Sequence, residues 1–302
     1  MIFNILNNMT IKHLVISGGG PTMIKSLGAC QYLEQQNFWK IDEIQSIHGT
    51  SAGGVVGAML CLKYDWETLN TYIIERPWSE AFPFSIKYIL DAYTNRGIFG
   101  RKASEVVFKS LLLGKDLSLD ITLKEFYDYS KIELYMYSFE INNFKMESIS
   151  YKTYPDLPLL TALQMTSAVP ILISPVCLDG KCFIDGAVVS NYPLDFCLDV
   201  VQDTTEILGF KNDYGEKKQS NVIDEESTLL DYIMIFLYKL IFQLNTEDRQ
   251  KRIENEVLYS AQYLSFEYIK SVLSSSEIRK EFLQSGIQSA TDFLKIVSEN
   301  RV

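Results

Sequence analysis

Histidine is nearly absent from this 302-residue sequence: there are two, His13 and His48, and both lie in the first fifth of the chain. A catalytic mechanism that needs an imidazole base must therefore use His13 or His48. Any other mechanism must work without histidine. No group of cysteines and histidines has the spacing of a zinc site. We therefore expect no metal ion, and no other cofactor is indicated.

An excess of basic residues is also lacking. The 28 lysines and arginines are outnumbered by 38 aspartates and glutamates, which gives a net charge of −10 at pH 7. Nucleic-acid-binding domains usually carry a basic excess, so this balance argues against a nucleic-acid partner. It also argues against docking on anionic lipid by charge alone, and any membrane contact is expected to be mainly hydrophobic.

Long apolar runs are missing as well. A membrane-spanning helix needs about 18 to 20 mostly apolar residues. The nearest segment, Leu229–Leu244, is shorter and contains Asp231 and Lys239. Its apolar residues surround the helix, which is typical either of a buried core helix or of a lid or lipid-contacting helix. Because Met1–Thr10 lacks the features of a secretory signal, we expect a cytoplasmic protein.

Cysteine is sparse and odd in number. Five cysteines in a chain of this length indicate reduced, partly buried thiols, not a disulfide framework. Cys177 and Cys182 flank Asp179-Gly180, which is typical of a hairpin turn, so they would face each other across two strands. A disulfide between them is the less favoured alternative.

Short apolar runs alternate with glycine loops and helical patterns in the first part of the chain. His13–Ile16 has the pattern of a buried strand, and a helix is predicted over Ile24–Gln36. A second strand, Ile44–Ile47, is followed by a tight turn and a helix over Val55–Leu62. This order predicts an α/β fold with a mostly parallel sheet.

The later segments add strands and then helices. Lys131–Ser150 predicts two strands, Ser174–Ile184 a hairpin, and Glu206–Phe210 a last short strand. We expect one α/β catalytic domain over residues 12–210 and a polar linker or surface loop over residues 211–227. The remainder, residues 228–302, is predicted to form helices that pack on the same domain.

The most informative motif is the G-x-S-x-G string within His48–Gly53. In strand–turn–helix context this string is typical of a sharp turn that exposes the serine hydroxyl, here that of Ser51. Gly49 and Gly53 lack side chains that would clash with the neighbouring strand and helix. The alternative is a glycine-rich turn that only packs a helix against the sheet. We favour Ser51 as a nucleophile.

A serine nucleophile needs a base. No histidine follows Ser51, His48 lies at the end of the same strand, and His13 begins the first strand. A Ser–His–Asp triad is therefore disfavoured, and a carboxylate or a lysine must act as the base. The best carboxylate is Asp185, which follows an apolar strand and would become a stronger base if burial raised its pKa. Taken alone, Asp185 would be better explained as an Asx-turn cap.

Successive glycines follow the first strand at Gly18, Gly19 and Gly20. Their N–H groups are suited either to a phosphate cradle or to an oxyanion hole. The spacing fits neither the phosphate-loop nor the dinucleotide-binding fingerprint. Beside an exposed serine, an oxyanion hole is the more economical interpretation.

These three elements, in this order, resemble the patatin-like phospholipase family. The matching stretches are Gly18-Gly19-Gly20, Gly49-Thr50-Ser51-Ala52-Gly53 and Asp185-Gly186-Ala187, supported by Thr166-Ser167-Ala168-Val169-Pro170 and Asn191-Tyr192-Pro193. The sequence departs from the family's usual G-G-G-x-R-G, because Thr22 and Met23 stand where the arginine and the next glycine are usual.

The resemblance implies a three-layer α/β/α sandwich and a serine esterase that hydrolyses fatty-acyl esters, usually of phospholipids, at a peripheral membrane contact. It implies Ser51 as nucleophile, Asp185 as base, an oxyanion hole at Gly18, Gly19 and Gly20, and no cofactor. Acyl transfer to an alcohol at the same site and lipid binding on a catalytically weak scaffold remain as alternatives.

Overall fold

The computed structural model describes residues 10–82, 92–215, 223–244 and 252–300. Within these ranges the chain forms ten strands. They are β1 (His13–Ile16), β2 (Ser46–Thr50), β3 (Gly97–Phe99), β4 (Glu133–Glu140), β5 (Lys145–Ile149), β6 (Ile171–Ile173), β7 (Val176–Leu178), β8 (Lys181–Asp185), β9 (Ile207–Asp213) and β10 (Glu256–Ser260).

The named helices of the described residues surround these strands. They are α1 (Met23–Gln35), α2 (Ala52–Cys61), α3 (Trp66–Glu75), α4 (Trp78–Ala81), α5 (Arg101–Leu113), α6 (Leu123–Ser130), α7 (Leu159–Ser167), α8 (Leu194–Leu198), α9 (Leu229–Leu244), α10 (Phe266–Ser274) and α11 (Ser276–Asn300). None of the described helices is long and apolar enough to cross a membrane.

A mixed, mostly parallel sheet forms the centre of the described structure. Its strand order is β10-β9-β1-β2-β4-β8-β7, with β5 paired to β4. Neighbours from β10 to β4 are parallel, whereas β5, β7 and β8 join by antiparallel pairing. Strands β3 and β6 form a separate parallel pair. The predicted α/β fold with a mostly parallel sheet is therefore confirmed.

Both faces of the sheet are covered. Leu14 and Ile16 of β1 pack into the larger hydrophobic cluster, which includes residues of α1, α2 and α11. Val15, which points to the opposite face, packs into a second cluster with Leu194 and Cys197 of α8. Because strand side chains alternate between the two faces, burial of all three residues requires a layer on each side of β1.

Helices α1 and α11 approach each other through two glycines. A Cβ atom on Gly28 would lie 2.2 Å from the carbonyl oxygen of Leu283, and one on Gly286 would lie 2.0 Å from that of Lys25. These distances leave no room for a side chain at either position. The long C-terminal helix is thereby held directly against the helix that follows the glycine loop.

The C-terminal part differs from its prediction. Residues 228–302 were expected to be helical throughout, but β10 lies among them and extends the sheet beside β9. Its five residues, Glu256–Ser260, are too few to outweigh the helical patterns around them. Strand β9 continues to Asp213 and so includes the start of the predicted linker at 211–227. Residues 216–222 of that linker, and residues 1–9, lie outside the described residues.

The expectation of five reduced thiols is wrong for one pair. Cys177 and Cys182 are directly opposite each other in β7 and β8, with Cα atoms 4.1 Å apart, and they form a disulfide. The predicted hairpin brings the two residues together. Their closeness allows the disulfide even though the small, odd number of cysteines favoured reduced thiols. The other three cysteines, Cys30, Cys61 and Cys197, are free and buried.

Candidate active site

Two neighbouring parallel strands end at the candidate site. β1 leads into the glycine loop that begins at Ser17, and β2 ends at Thr50 immediately before Ser51. Parallel strands present their carboxyl ends at one edge of a sheet, which is where ligands bind in open α/β folds. The glycine loop and Ser51 are therefore brought together by the sheet itself.

Ser51 has an unusual backbone conformation, with φ 54° and ψ −125°. Positive φ is rarely adopted by residues with a side chain and marks a strained turn. The two flanking glycines make the turn sterically feasible. A Cβ on Gly49 would lie 2.4 Å from the carbonyl carbon of Gly53, and one on Gly53 would lie 2.1 Å from the carbonyl oxygen of Ile16.

Thr166 holds this turn from the neighbouring helix α7. Its Oγ1 accepts a hydrogen bond from the Ser51 N–H at 2.9 Å and donates one to the Tyr137 carbonyl at 2.6 Å. The side chain is fully buried. In the sequence, Thr166 is marked only by its place in the stretch Thr166-Ser167-Ala168-Val169-Pro170, which is the one local signal that points to it as a residue of the site.

The register of β4 explains how Asp185 reaches Ser51. Thr50 pairs with Tyr137 on one side of β4. Asp185 pairs with the next residue, Ser138, on the other side. Because Ser51 directly follows Thr50, the ends of β2 and β8 bring Ser51 and Asp185 together, although they are 134 residues apart in the chain.

A short hydrogen bond joins the two candidate catalytic side chains. Ser51 Oγ donates to Asp185 Oδ2 at 2.5 Å. The second carboxylate oxygen, Oδ1, accepts a hydrogen bond from the Ala187 N–H at 2.8 Å, which fixes the orientation of the carboxylate. Ser51 is 6% and Asp185 2% exposed. A hydroxyl and its nearest base thus lie together where little bulk water competes for either.

Burial raises the pKa of Asp185 from its usual 3.8 to about 7. Removal of the carboxylate from water disfavours its charged form and is the largest cause, whereas the bonds from Ser51 and Ala187 partly offset it. A base with a pKa near 7 can accept a proton from a hydroxyl far more readily than an ordinary carboxylate, and it is still ionised in a large fraction of molecules at neutral pH.

The glycine loop borders the same space. Gly19 and Gly20 have φ angles of 143° and 55°, which favour glycine. The Gly18 N–H donates to the Asn191 carbonyl at 3.0 Å. Within the described parts of the chain, the N–H groups of Gly19 and Gly20 donate no hydrogen bond, and both residues line a cavity together with Ser51.

This cavity has a volume of about 350 Å³ and is mainly apolar. Helices α3, α4 and α9 and strand β3 contribute to its wall. Representative lining residues are Ile73, Trp78, Phe99, Leu237, Tyr238 and Ile241. Ser51, Asp185 and the glycine loop contribute polar groups to the same wall, so an apolar ligand with a polar centre fits this distribution.

Neither histidine is bonded to the Ser–Asp pair. His48 is buried, and its ring nitrogens bond Ser46 Oγ at 3.0 Å and Tyr137 OH at 2.7 Å. Burial lowers the pKa of His48 to about 3. His13 bonds Ser46 Oγ at 2.8 Å, and burial lowers its pKa as well. Both imidazoles are therefore neutral at pH 7 and engaged elsewhere.

The two positions that depart from the G-G-G-x-R-G pattern have local partners. The Thr22 hydroxyl lies 3.1 Å from Tyr268 OH of helix α10, and Met23 contributes to the cavity wall. The side chain that replaces the usual arginine therefore ties the glycine loop to the C-terminal helices. Among the described residues, no group of three or more His, Cys, Asp or Glu side chains is arranged to hold a metal ion.

More than half of the chain matches a known protein family. A family model described as patatin-like phospholipase matches residues 14–198. A probable lipid hydrolase of Invertebrate iridescent virus 6 is 28% identical over 190 residues, which cover 62% of this chain and 63% of that protein. An uncharacterised protein of Acanthamoeba polyphaga mimivirus is 22% identical over 204 residues, which cover 67% of this chain and 66% of that protein.

A similar fold occurs in a solved structure. The crystal structure of VipD from Legionella pneumophila aligns with 94% of this chain and 67% of its own, at a TM-score of 0.54 and 16% identity. At this identity the likeness concerns the fold alone. The two viral relatives are matched over slightly less than two thirds of their length.

Proposed function

The chain belongs to the patatin-like phospholipase family, and on that premise we propose that it is a lipid acyl hydrolase that cleaves fatty-acyl esters with Ser51 and Asp185. The observation that carries this proposal is the 2.5 Å hydrogen bond from Ser51 Oγ to Asp185 Oδ2 in the wall of a mainly apolar cavity. The proposed reaction uses no metal and no organic cofactor.

In the proposed reaction Asp185 takes the proton of Ser51 while Oγ attacks the ester carbonyl carbon. The N–H groups of Gly19 and Gly20, two residues that line the cavity, stabilise the oxyanion of the tetrahedral intermediate. The intermediate collapses to an acyl-enzyme, and protonated Asp185 returns the proton to the departing alkoxide. Water activated by Asp185 then releases the fatty acid from Ser51.

The cavity favours an acyl chain as the substrate group. Its lining is mainly apolar, and Ser51 and Asp185 are part of the same wall. A phospholipid or another fatty-acyl ester would place its chain against this lining and its carbonyl at Ser51. Transfer of the acyl group to an alcohol would share the first half of the reaction, so product analysis decides between hydrolysis and transfer.

Helix α9 supports a peripheral, hydrophobic membrane contact. One face of this helix, which includes Leu237 and Ile241, lines the cavity. The other face exposes large apolar side chains, with Phe236 53% and Leu240 45% exposed. A helix of this kind can lie at a bilayer interface with its apolar side chains among the lipids, directly beside the cavity that would take up the substrate.

The test is hydrolysis of a short-chain nitrophenyl ester and of a labelled phospholipid by the wild type, Ser51→Ala and Asp185→Asn. We expect turnover by the wild type and a loss on the order of 10³-fold or more in both variants. Ser130→Ala is a matched control, because Ser130 is also buried and its hydroxyl bonds the backbone of Ile132 and the Cys61 thiol, not Asp185. Equal rates in all four proteins would refute the proposal.

A fluorophosphonate identifies the nucleophile independently of the substrate. We expect it to label the wild type and Ser130→Ala but not Ser51→Ala. Transfer of a labelled acyl group to a lysolipid acceptor, in place of its release as fatty acid, would show an acyltransferase. Vesicle binding without turnover or labelling would show a lipid-binding protein on an inactive scaffold.

A further inference from the structure

The glycine loop has a partner on β9 that lies outside the matched family region. β1 and β9 are parallel, and Ile16 pairs with Phe210. Two residues further along, the first chain segment has reached Gly18 in the glycine loop, whereas Asn212 still belongs to β9. Asn212 Nδ2 donates a hydrogen bond to the Gly18 carbonyl oxygen. The family model ends at residue 198, so this contact comes from a part of the chain that the shared motifs do not include.

The orientation of the Asn212 side chain is determined by its surroundings. The Gly18 carbonyl can only accept a hydrogen bond, so the amide nitrogen must face the loop. Nδ2 also lies 3.1 Å from Tyr214 OH, and the Asn212 backbone N–H donates to Ser17 Oγ at 3.3 Å. Asn212 is 9% exposed. Buried and bonded in this way, it is a rigid support for the loop.

This contact sets the direction of the next N–H group. In a planar trans peptide the carbonyl of one residue and the N–H of the next point in opposite directions. Asn212 binds the Gly18 carbonyl, so the Gly19 N–H points away from β9. A Cβ on Gly19 would lie 2.6 Å from Asn212 Nδ2, so the contact also depends on glycine at that position.

We infer that Asn212 is a positioning residue for the oxyanion hole: it holds the Gly18–Gly19 peptide so that the Gly19 N–H can donate to the oxyanion formed at Ser51. This inference rests on the proposed function. Loss of one oxyanion donor costs on the order of 10²- to 10³-fold in kcat, and a displaced donor costs part of that. Asn212 also lines the cavity, so a ligand that only fills the cavity is needed to separate this positioning role from a change in the cavity wall.

The chain offers a matched control at Asn255. This residue is fully buried, and its Nδ2 donates to the backbone carbonyl of Thr205 at 2.9 Å, remote from the glycine loop. In both asparagines the side-chain oxygen has no hydrogen-bond partner within the described residues. Asn212→Leu and Asn255→Leu therefore remove the same kind of bond with the same change of shape, and only the first should alter the site.

The experiment measures kcat and KM for a soluble acyl ester together with two inhibitors. For Asn212→Leu we expect kcat to fall on the order of 10- to 100-fold while KM stays within about twofold. An alkyl trifluoromethyl ketone forms a tetrahedral adduct with the serine, so its Ki should rise in parallel. A fatty alcohol of equal chain length fills only the apolar cavity, and its Ki should not change. Asn255→Leu should match the wild type in all four constants.

Three outcomes would overturn the inference. The first is Asn212→Leu with kcat within about twofold of wild type. The second is an equal loss in Asn255→Leu, which would indicate a general effect of a lost buried bond. The third is a parallel rise of both inhibitor constants, which would indicate a distorted cavity. If Asn212→Leu does not fold, Asn212→Ala and Asn255→Ala are compared in the same way. A wild type that turns over no ester would instead refute the proposed function, and the inference with it.

Discussion

Asp185 should make activity and stability respond to pH in opposite directions. Burial raises its pKa from 3.8 to about 7 in the folded protein. The proposed base is the ionised carboxylate, so kcat/KM should rise about tenfold per pH unit below pH 7 and level off above it. Neither histidine accounts for such a limb, because burial lowers the pKa of His48 to about 3 and also lowers that of His13.

The same pKa gives the magnitude of the effect on stability. Unfolded chains release this proton near pH 3.8, whereas the folded protein keeps it until about pH 7. Unfolding therefore releases a proton between these values, and the free energy of unfolding falls as the pH rises. At 1.36 kcal/mol per pKa unit the full penalty is about 4 kcal/mol, of which about 3 kcal/mol develops between pH 5 and pH 8.

Urea denaturation of the wild type and Asp185→Asn at pH 5 and pH 8 measures this penalty. The variant has no charge to bury, so its stability relative to the wild type should increase by about 3 kcal/mol from pH 5 to pH 8. The comparison cancels the other titrating groups, which both proteins share. An unchanged difference between the two proteins, or a kcat/KM limb well below pH 6, would refute the argument that Asp185 is a desolvated base.

Three further predictions concern the support of the site and its surroundings. Thr166→Val removes the acceptor of the serine N–H and should lower kcat on the order of 10-fold in the ester assay, whereas wild-type kcat would contradict its role in the turn. Gly28→Ala should lower the free energy of unfolding by about 1–3 kcal/mol in urea denaturation, because its Cβ would meet a backbone oxygen at 2.2 Å. The double variant Phe236→Ser/Leu240→Ser should keep wild-type hydrolysis of a soluble ester but lose activity on vesicles. Equal loss on both substrates would argue against a membrane contact.

Local sequence patterns predicted the strands and helices that meet at the carboxyl ends of β1 and β2. β1 was predicted with its observed bounds. Strand β2, however, continues to Thr50, and α2 begins at Ala52, three residues before its predicted start. Glycine weakens both strand and helix propensity, so the pattern around Gly49 and Gly53 could not show that regular structure continues on each side of Ser51. The shift makes the turn at Ser51 tighter than expected.

Partners that are distant in the chain could not be predicted in this way. Asn212 contacts Gly18 across 194 residues, and a lone asparagine after an apolar strand has no periodicity that would single it out. The position of strand β10 could not be predicted either, because its place beside β9 depends on the order of strands in the sheet. Such contacts follow from register, which becomes visible only when the strands are paired.

Burial links the scarcity of histidine to the chemistry of Asp185. A histidine titrates near pH 7 without special surroundings, whereas a carboxylate needs desolvation to become a base of similar strength. Asp185 lines the mainly apolar cavity that we propose as the acyl-chain site. Under the proposed function, substrate binding and the strength of the base would therefore depend on the same cavity wall. A change that admits water beside Asp185 should therefore lower its pKa and weaken the base, even where the geometry of the Ser51 hydrogen bond is retained.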